Sequence, residues 1–283
     1  MDKRLWITGL MILTLAFGGS MQAFASPLVF TASTDAAAMV TNILGPGIMV
    51  VGTPAYASGA TGMGSFTGGT GILGFDAGIV LSSGNIYSLP GPNISGSTST
   101  SWDMPGYGPL DVLSGGTTHD AAVLSFSFIP TAGVVSFRFV FGSEEYNEYV
   151  GSAYNDAFGF FLNGTNIALI PGTGSPVTIN SVNLGSNPTY YTNNTGGLLN
   201  TELDGLVGVS RALYATGLVT AGEVNTIALA IADTSDHIYD SAVFIQGQSF
   251  IPEPPPVPLP GTMLLLGSGI IALAGLGWRS KKV

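Results

Sequence analysis

Val123-Leu-Ser-Phe-Ser-Phe-Ile129 and Val134-Val-Ser-Phe-Arg-Phe-Val-Phe141 both alternate with a period of two. In the second run Val135, Phe137, Phe139 and Phe141 fall on one face, with Ser136 and Arg138 on the other, which is the pattern of a half-buried strand. Downstream, Phe158 to Leu162, Asn163-Gly164 and Ile167 to Ile170 read as a hairpin, because Asn-Gly favours a tight turn. Val177 to Val182, Val224 to Ile231 and Ala242 to Phe250 add strands, and Gly47 to Val51 and Gly78 to Ser82 precede them. The total is roughly eight to ten strands. Strands and helices do not alternate, and no repeat of 20 to 50 residues stands out. The expected fold is therefore all-β, a single antiparallel β-sandwich of jelly-roll type. One short helix is expected between Ser33 and Gly45, with Met39, Val40, Ile43 and Leu44 on one face. Residues 52 to 74 read as loop and hairpin material. Residues 83 to 118 form a polar stretch with Trp102 and Tyr107, too long for an ordinary connection and so either functional or mobile.

The composition narrows the function. Of 283 residues, 46% are hydrophobic and 8% charged, against about 25% charged in an average domain. Without cysteine there is no disulfide framework and no thiolate metal site. Seven basic residues against 17 acidic ones exclude a nucleic-acid binder that works by neutralising phosphates. From Ser26 to Pro260, two basic residues against 16 acidic ones leave −14. Such a body approaches anionic partners only with a cation to screen it.

The remaining basic residues sit at the ends. Lys3 and Arg4 precede an apolar run from Leu5 to about Gly18, then Ala23-Phe24-Ala25. A positive start, a short apolar centre and an Ala-x-Ala exit describe a Sec signal peptide over residues 1–25, cut between Ala25 and Ser26. Residues 26–250 form the sandwich domain, and residues 251–260 a Pro-rich spacer. Residues 261–278 carry no charge and would span about 27 Å as a helix, enough for a membrane segment. Arg279, Lys281 and Lys282 in the tail 279–283 would stay on the cytoplasmic side.

Val257-Pro258-Leu259-Pro260, then Thr262-Met-Leu-Leu-Leu-Gly-Ser-Gly, the apolar run and Arg279-Ser-Lys-Lys282 together resemble the PEP-CTERM sorting signal of Gram-negative, exopolysaccharide-producing bacteria. Leu259 stands where that signal has Glu, and a Pro252-Glu253-Pro254 lies upstream. The resemblance implies an exosortase-like processing enzyme as partner, a precursor held in the inner membrane, and delivery to the cell surface or beyond, possible exopolysaccharide included.

The densest polar clusters are Phe141-Gly-Ser-Glu144-Glu145-Tyr146-Asn-Glu148-Tyr149, Tyr154-Asn155-Asp156 and Asp233-Thr-Ser-Asp236-His237-Ile-Tyr-Asp240. With Asp120-Ala-Ala-Val-Leu-Ser-Phe-Ser-Phe128, Val177-Thr-Ile-Asn180 and Asp204-Gly205, they resemble the choice-of-anchor L domain. That resemblance implies a secreted domain attached by varied tails, with no catalytic residues to transfer. Glu145, Asp156, Asp233, Asp236 and Asp240 lie at strand ends that can meet on one rim of a sandwich. Carboxylates gathered there repel unless a cation joins them, and an oxygen-only set suits Ca²⁺. Ordinary turn chemistry is the alternative, because Asp and Asn in turns often bond their own backbone.

Competing functions use the same residues. Glu144 or Glu145 with Asp156 would be the carboxylate pair of a glycoside hydrolase, and Tyr146, Tyr149 and Tyr154 could form a lectin-like surface. The expectation is a non-enzymatic adhesion or matrix protein. His119 and His237 are the only histidines, too few for a His-based zinc site. Gly69-Thr-Gly71-Ile-Leu-Gly74 has dinucleotide-loop spacing, but no strand-to-helix context follows it. Arg138 is expected to pair with an acid of the Glu cluster.

Overall fold

The computed structural model describes residues 27–254. The expected signal peptide, the sorting motif Val257 to Pro260 and the apolar segment 261–278 lie outside the described residues. Within residues 27–254 no helix is long and apolar enough to cross a membrane. In chain order the strands are β1 (Val29–Ala32), β2 (Ile48–Ala57), β3 (Met63–Thr67), β4 (Gly78–Ser82), β5 (Thr118–Pro130), β6 (Val134–Ser143), β7 (Ala157–Leu162), β8 (Thr165–Asn166), β9 (Tyr191–Asn193), β10 (Gly205–Val207), β11 (Leu213–Leu218), β12 (Asn225–Thr234) and β13 (Ser241–Gln246). One sheet has the order β1-β3-β4-β13-β6-β10-β9, with β11 also on β6, and the other has the order β2-β5-β12-β7-β8. Every strand pair is antiparallel.

The period-two face of β6 forms the centre of the core. Phe137, Phe139 and Phe141 meet Phe158 and Phe160 of β7 across the two sheets, with ring centroids 4.9 to 5.4 Å apart. These are tilted, edge-on and stacked pairs, which add to the burial energy of the rings. The opposite face of the same sheet is covered too. Val140 and Phe244 point into a second apolar layer with Phe30, Phe66 and Phe75, where Phe66 meets Phe244 edge-on at 5.6 Å. A central strand buried on both faces explains the apolar Val140 on the otherwise polar side of β6.

The first helix, α1, covers Ala36–Ile43 and is capped by Asp35, whose carboxylate accepts from the Ala38 N–H at 3.0 Å. Two further short helices occupy stretches expected as loop: α2 (Thr70–Leu73) and α3 (Gly108–Ser114). Strand β3 was hidden in the sequence because Gly64 presents no side chain. A Cβ there would stand 2.4 Å from the Thr31 carbonyl oxygen, so the β1–β3 pairing needs glycine. Two expected strands are corrected. Residues 167 to 170 leave the ladder after β8, and residues 177 to 182 touch it only at the Ala157–Thr178 bridge. Their apolar side chains are buried as turns folded over the core.

Arg138 is a further correction. Its guanidinium donates to the Gly74 carbonyl at 2.9 Å and lies 5.1 Å from the centre of the Phe75 ring. Six strand residues separate it from Glu144, about 20 Å at 3.3 Å per residue, so nearness in sequence does not bring the charges together.

Phe250, just past β13, is fully buried and packs within 5.1 to 5.6 Å of Phe126, Phe128 and Phe137. Phe250→Ala is expected to cost about 3 to 5 kcal/mol, whereas Leu218→Ala, at a position 84% exposed, should stay within about 0.5 kcal/mol. Urea unfolding of the two variants checks this, and equal midpoints would contradict the role given to Phe250.

Candidate functional site

Antiparallel pairing brings the start of β5, the end of β6, the start of β7, the end of β12 and the start of β13 to one rim. The register fixes this: Ser143 pairs with Ser241, Asp233 with His119, and Ala157 with Ala232. Asp120, Glu144, Glu145, Asp156, Asp233 and Asp240 therefore gather at one end, each 0 or 1% exposed. Asp236 sits half-buried at its edge. All five carboxylates expected to share a cation are brought within mutual electrostatic reach: Glu145 senses Asp156 and Asp236, Asp156 senses Asp236 and Asp240, and Asp233 senses Asp156 and Asp240.

Basic partners are nearly missing. Among the described residues the one ion pair is His237 Nδ1 to Asp120 Oδ2, at 3.0 Å. Backbone and hydroxyl donors do part of the work instead. Asp156 accepts from the Thr234 N–H at 2.8 Å and from the Ser241 hydroxyl at 2.7 Å. An extended segment of the 83–118 stretch crosses the rim and donates from alternate residues: Thr98 N–H to Glu144 at 3.1 Å, Thr100 N–H to Asp240 at 2.7 Å, and the N–H groups of Trp102 and Met104 to Asp120 at 3.1 and 2.6 Å. In return the Asp240 and Asp120 N–H groups donate to the carbonyls of Thr98 and Met104. The long polar stretch is thus a strap, ordered by side-chain carboxylates in place of a neighbouring strand.

Several oxygens stay without a partner: Glu144 Oε1, both oxygens of Glu145, both of Asp233 and Asp240 Oδ2. The Ser83 hydroxyl, which eases Asp233, is itself committed to the Ser241 backbone. A buried carboxylate oxygen without a donor is strongly unfavourable. The site also holds strained backbone. Of the seven non-glycine residues with positive φ among the described residues, Asp103, Asp120, Ser235 and Tyr239 lie in these rim segments; such conformations persist where the surroundings over-determine them. As they stand, no three His, Asp or Glu side chains among the described residues are arranged to hold a metal ion, so closing around one requires side-chain rotation.

The aromatic candidates separate. Tyr146 is a core residue, fully buried, donating to the Val182 carbonyl at 2.7 Å and packed on Tyr191. Tyr149 contacts Tyr154 and Tyr239 with ring centroids 5.3 and 5.1 Å apart, forming a partly exposed cluster beside the rim. Glu148 is exposed. His119 and His237 lie against each other, ring centroids 4.2 Å apart. Sequence reasoning missed Asp120 as a rim residue, and Glu202 and Asp204 beside Glu144. The available signal was their place in the quoted family motifs, Asp120 to Phe128 and Asp204-Gly205, while nothing marked Glu202.

The hydrolase alternative meets a closed site. Glu145 and Asp156 expose no surface, so a glycan reaches them only if the rim opens.

The comparisons agree with the two resemblances. A family model described as Choice-of-anchor L domain matches residues 28–251, and one for the PEP-CTERM protein-sorting motif matches residues 256–282. Neither is an enzyme family. No curated protein and no solved structure matches the chain.

Burial pushes the Glu144 carboxyl up to about 9, opposed by the Thr98 N–H and reinforced by Asp204, Glu202 and Asp240. Asp240 rises to about 6, again by burial and against the Thr100 N–H. Burial also raises Glu145, Asp156 and Asp233, which then repel one another. The folded protein binds these protons more tightly than the unfolded chain, whose carboxyls titrate near about 4. The resulting stability is fully present below that value and is lost as the pH climbs through about 6 and then about 9. In chelator, the thermal midpoint should therefore fall steadily between pH 5 and pH 9. A midpoint that is flat or rises across that window would contradict the burial of unpaired carboxylates.

Proposed function

Because the chain belongs to the choice-of-anchor L domain family and carries a PEP-CTERM sorting motif, we propose that it serves as a calcium-stabilised adhesion or matrix module on the bacterial surface. The sorting motif marks an exported surface protein of a Gram-negative bacterium, processed by an exosortase-like system. Supporting the calcium role are the unpartnered buried oxygens of Glu145, Asp233 and Asp240 at a rim almost without basic side chains. Ca²⁺ takes six to eight oxygen ligands in flexible geometry, which suits carboxylates on separate strand ends. Glu145, Asp156, Asp233 and Asp240 would hold the ion, with Asp236 at the edge and backbone carbonyls or water completing the shell. The ion would tie the ends of β6, β7, β12 and β13 together. It would also keep these carboxyls ionised, so that the strap's N–H groups meet charged acceptors. The neighbouring exopolysaccharide is the proposed setting. The Tyr149, Tyr154 and Tyr239 cluster is the surface offered to it.

Thermal unfolding of the full chain, purified in mild detergent, tests the calcium reading. At a Ca²⁺ concentration one hundred times the dissociation constant, one site adds about 2.7 kcal/mol, which raises the midpoint over EDTA by about 5 to 10 °C. Asp233→Asn and Asp156→Asn should lose most of that rise while remaining folded in EDTA. No calcium response in the wild type, or a response unchanged in both variants, would remove the ion from this rim.

A further inference from the structure

Glu144 leaves the end of β6 next to Glu145 but faces another way. Glu145 senses Asp156 and Asp236, whereas Glu144 senses Asp204 and Glu202 ahead of Asp240. Register explains this meeting. Gly205 of β10 pairs with Ser143 of β6, so continuing the antiparallel ladder by one residue sets Asp204 opposite Glu144. Glu202 joins them through Thr98, whose N–H donates to Glu144 at 3.1 Å and whose hydroxyl donates to Glu202 at 3.4 Å. Like charges set opposite each other across an antiparallel pair destabilise it, yet all three are buried, at 1, 3 and 6% exposure, with no basic residue beside them.

The start of the strap roofs this second group. Ile94 and Ser95 donate their N–H groups to Glu202, Ser95 at 2.6 Å, and Thr98 donates to Glu144 Oε2 at 3.1 Å. The Asn93 amide donates to Asp204 Oδ1 at 2.7 Å. One oxygen is left over: Glu144 Oε1 is buried without a partner. Asp204 Oδ2 lies near Gly96, where an added Cβ would be 3.5 Å away.

We propose that Glu144, Glu202 and Asp204, which like the first group must rotate to close on an ion, form a second divalent-cation site, separate from the Glu145–Asp156–Asp233 group, taking calcium and fastening residues 93–98 to the end of β6 and the start of β10. The donors are three carboxylates, Glu144 next to the end of β6 and Asp204 next to the start of β10, with Glu202 in the bend before it. This is a hard-cation donor set. The proposal depends on the calcium reading above only for the choice of metal.

Calcium counting on the full chain, by equilibrium dialysis after chelation, is paired with hydrogen exchange at the amides of Ile94, Ser95 and Thr98. The wild type should bind two ions per chain, and calcium should slow exchange at those three amides at least tenfold. Asp204→Asn and Glu202→Gln should each reduce the count to one and abolish that protection, while the Thr234 amide, bonded to Asp156, stays protected. Asp233→Asn should also reduce the count to one but leave the 93–98 protection intact. If Asp204→Asn and Glu202→Gln leave both the count and the roof protection at wild-type values, the second site is overturned while the first stands. If Asp233→Asn changes nothing but Asp204→Asn removes the only ion, the first reading falls and this one holds. Circular dichroism identifies a variant that fails to fold. In that case Glu144→Gln, which removes the charge and keeps the shape, gives the deciding count, and a value of two overturns the proposal.

Discussion

The structure turns on burying carboxylates at one rim of a sandwich that supplies almost no positive charge to meet them. Six acids with 0 or 1% exposure share a single histidine ion pair. Desolvating a charge without a partner costs several kcal/mol even after relaxation, so such a rim exists only where donors, protons or a cation offset it. Backbone N–H groups provide part of this. The strap from residue 93 to residue 104 is held by carboxylates along its whole length. The acids thus order a segment that belongs to neither sheet, and the segment in turn covers them.

The rim can carry this load because the core beneath it is rigid. Phe137, Phe139 and Phe141 lock β6 against β7, and the second apolar layer behind Val140 and Phe244 holds β6 and β13 from the other face. Close-packed interiors do not deform gradually. The ends of β6 and β13 therefore present Glu144, Glu145 and Asp240 from fixed positions. The register Ser143–Ser241 and Ser143–Gly205 distributes the two adjacent glutamates to two different neighbourhoods.

Much of this was legible in the sequence, and the omissions have physical causes. The all-β class followed from period-two runs, above all Val134 to Phe141, and the strands with strong alternation were placed within a few residues. β3 escaped because glycine and serine dilute its pattern, and residues 177 to 182 misled because a buried turn can be as apolar as a strand. At the site, clustering identified Glu145, Asp156, Asp233, Asp236 and Asp240 as neighbours. Asp120, Glu202 and Asp204 were not legible as rim residues, since Asp120 meets His237 117 residues further along the chain and Asp204 comes opposite Glu144 only through the β6–β10 register. The strap was the least legible element. Its partners are backbone N–H groups, which every residue but proline possesses and no residue type announces.

Export gives this arrangement a direction. On the Sec route expected from residues 1–25, the chain would cross the membrane before its strand ends met, with the acids still solvated and far apart. Only when β5, β6, β7, β12 and β13 pair does the rim assemble, and only then does its electrostatic cost arise. Extracellular calcium modules bind at about 10⁻⁴ to 10⁻³ M, a level available outside the cell. On the calcium reading, the ion completes folding where the protein is meant to work, and the acidic surface that repels other anions becomes the part that responds to the medium. A rim of arginine and glutamate pairs would close equally well on either side of the membrane. Carboxylates alone make closure conditional on what surrounds the folded chain.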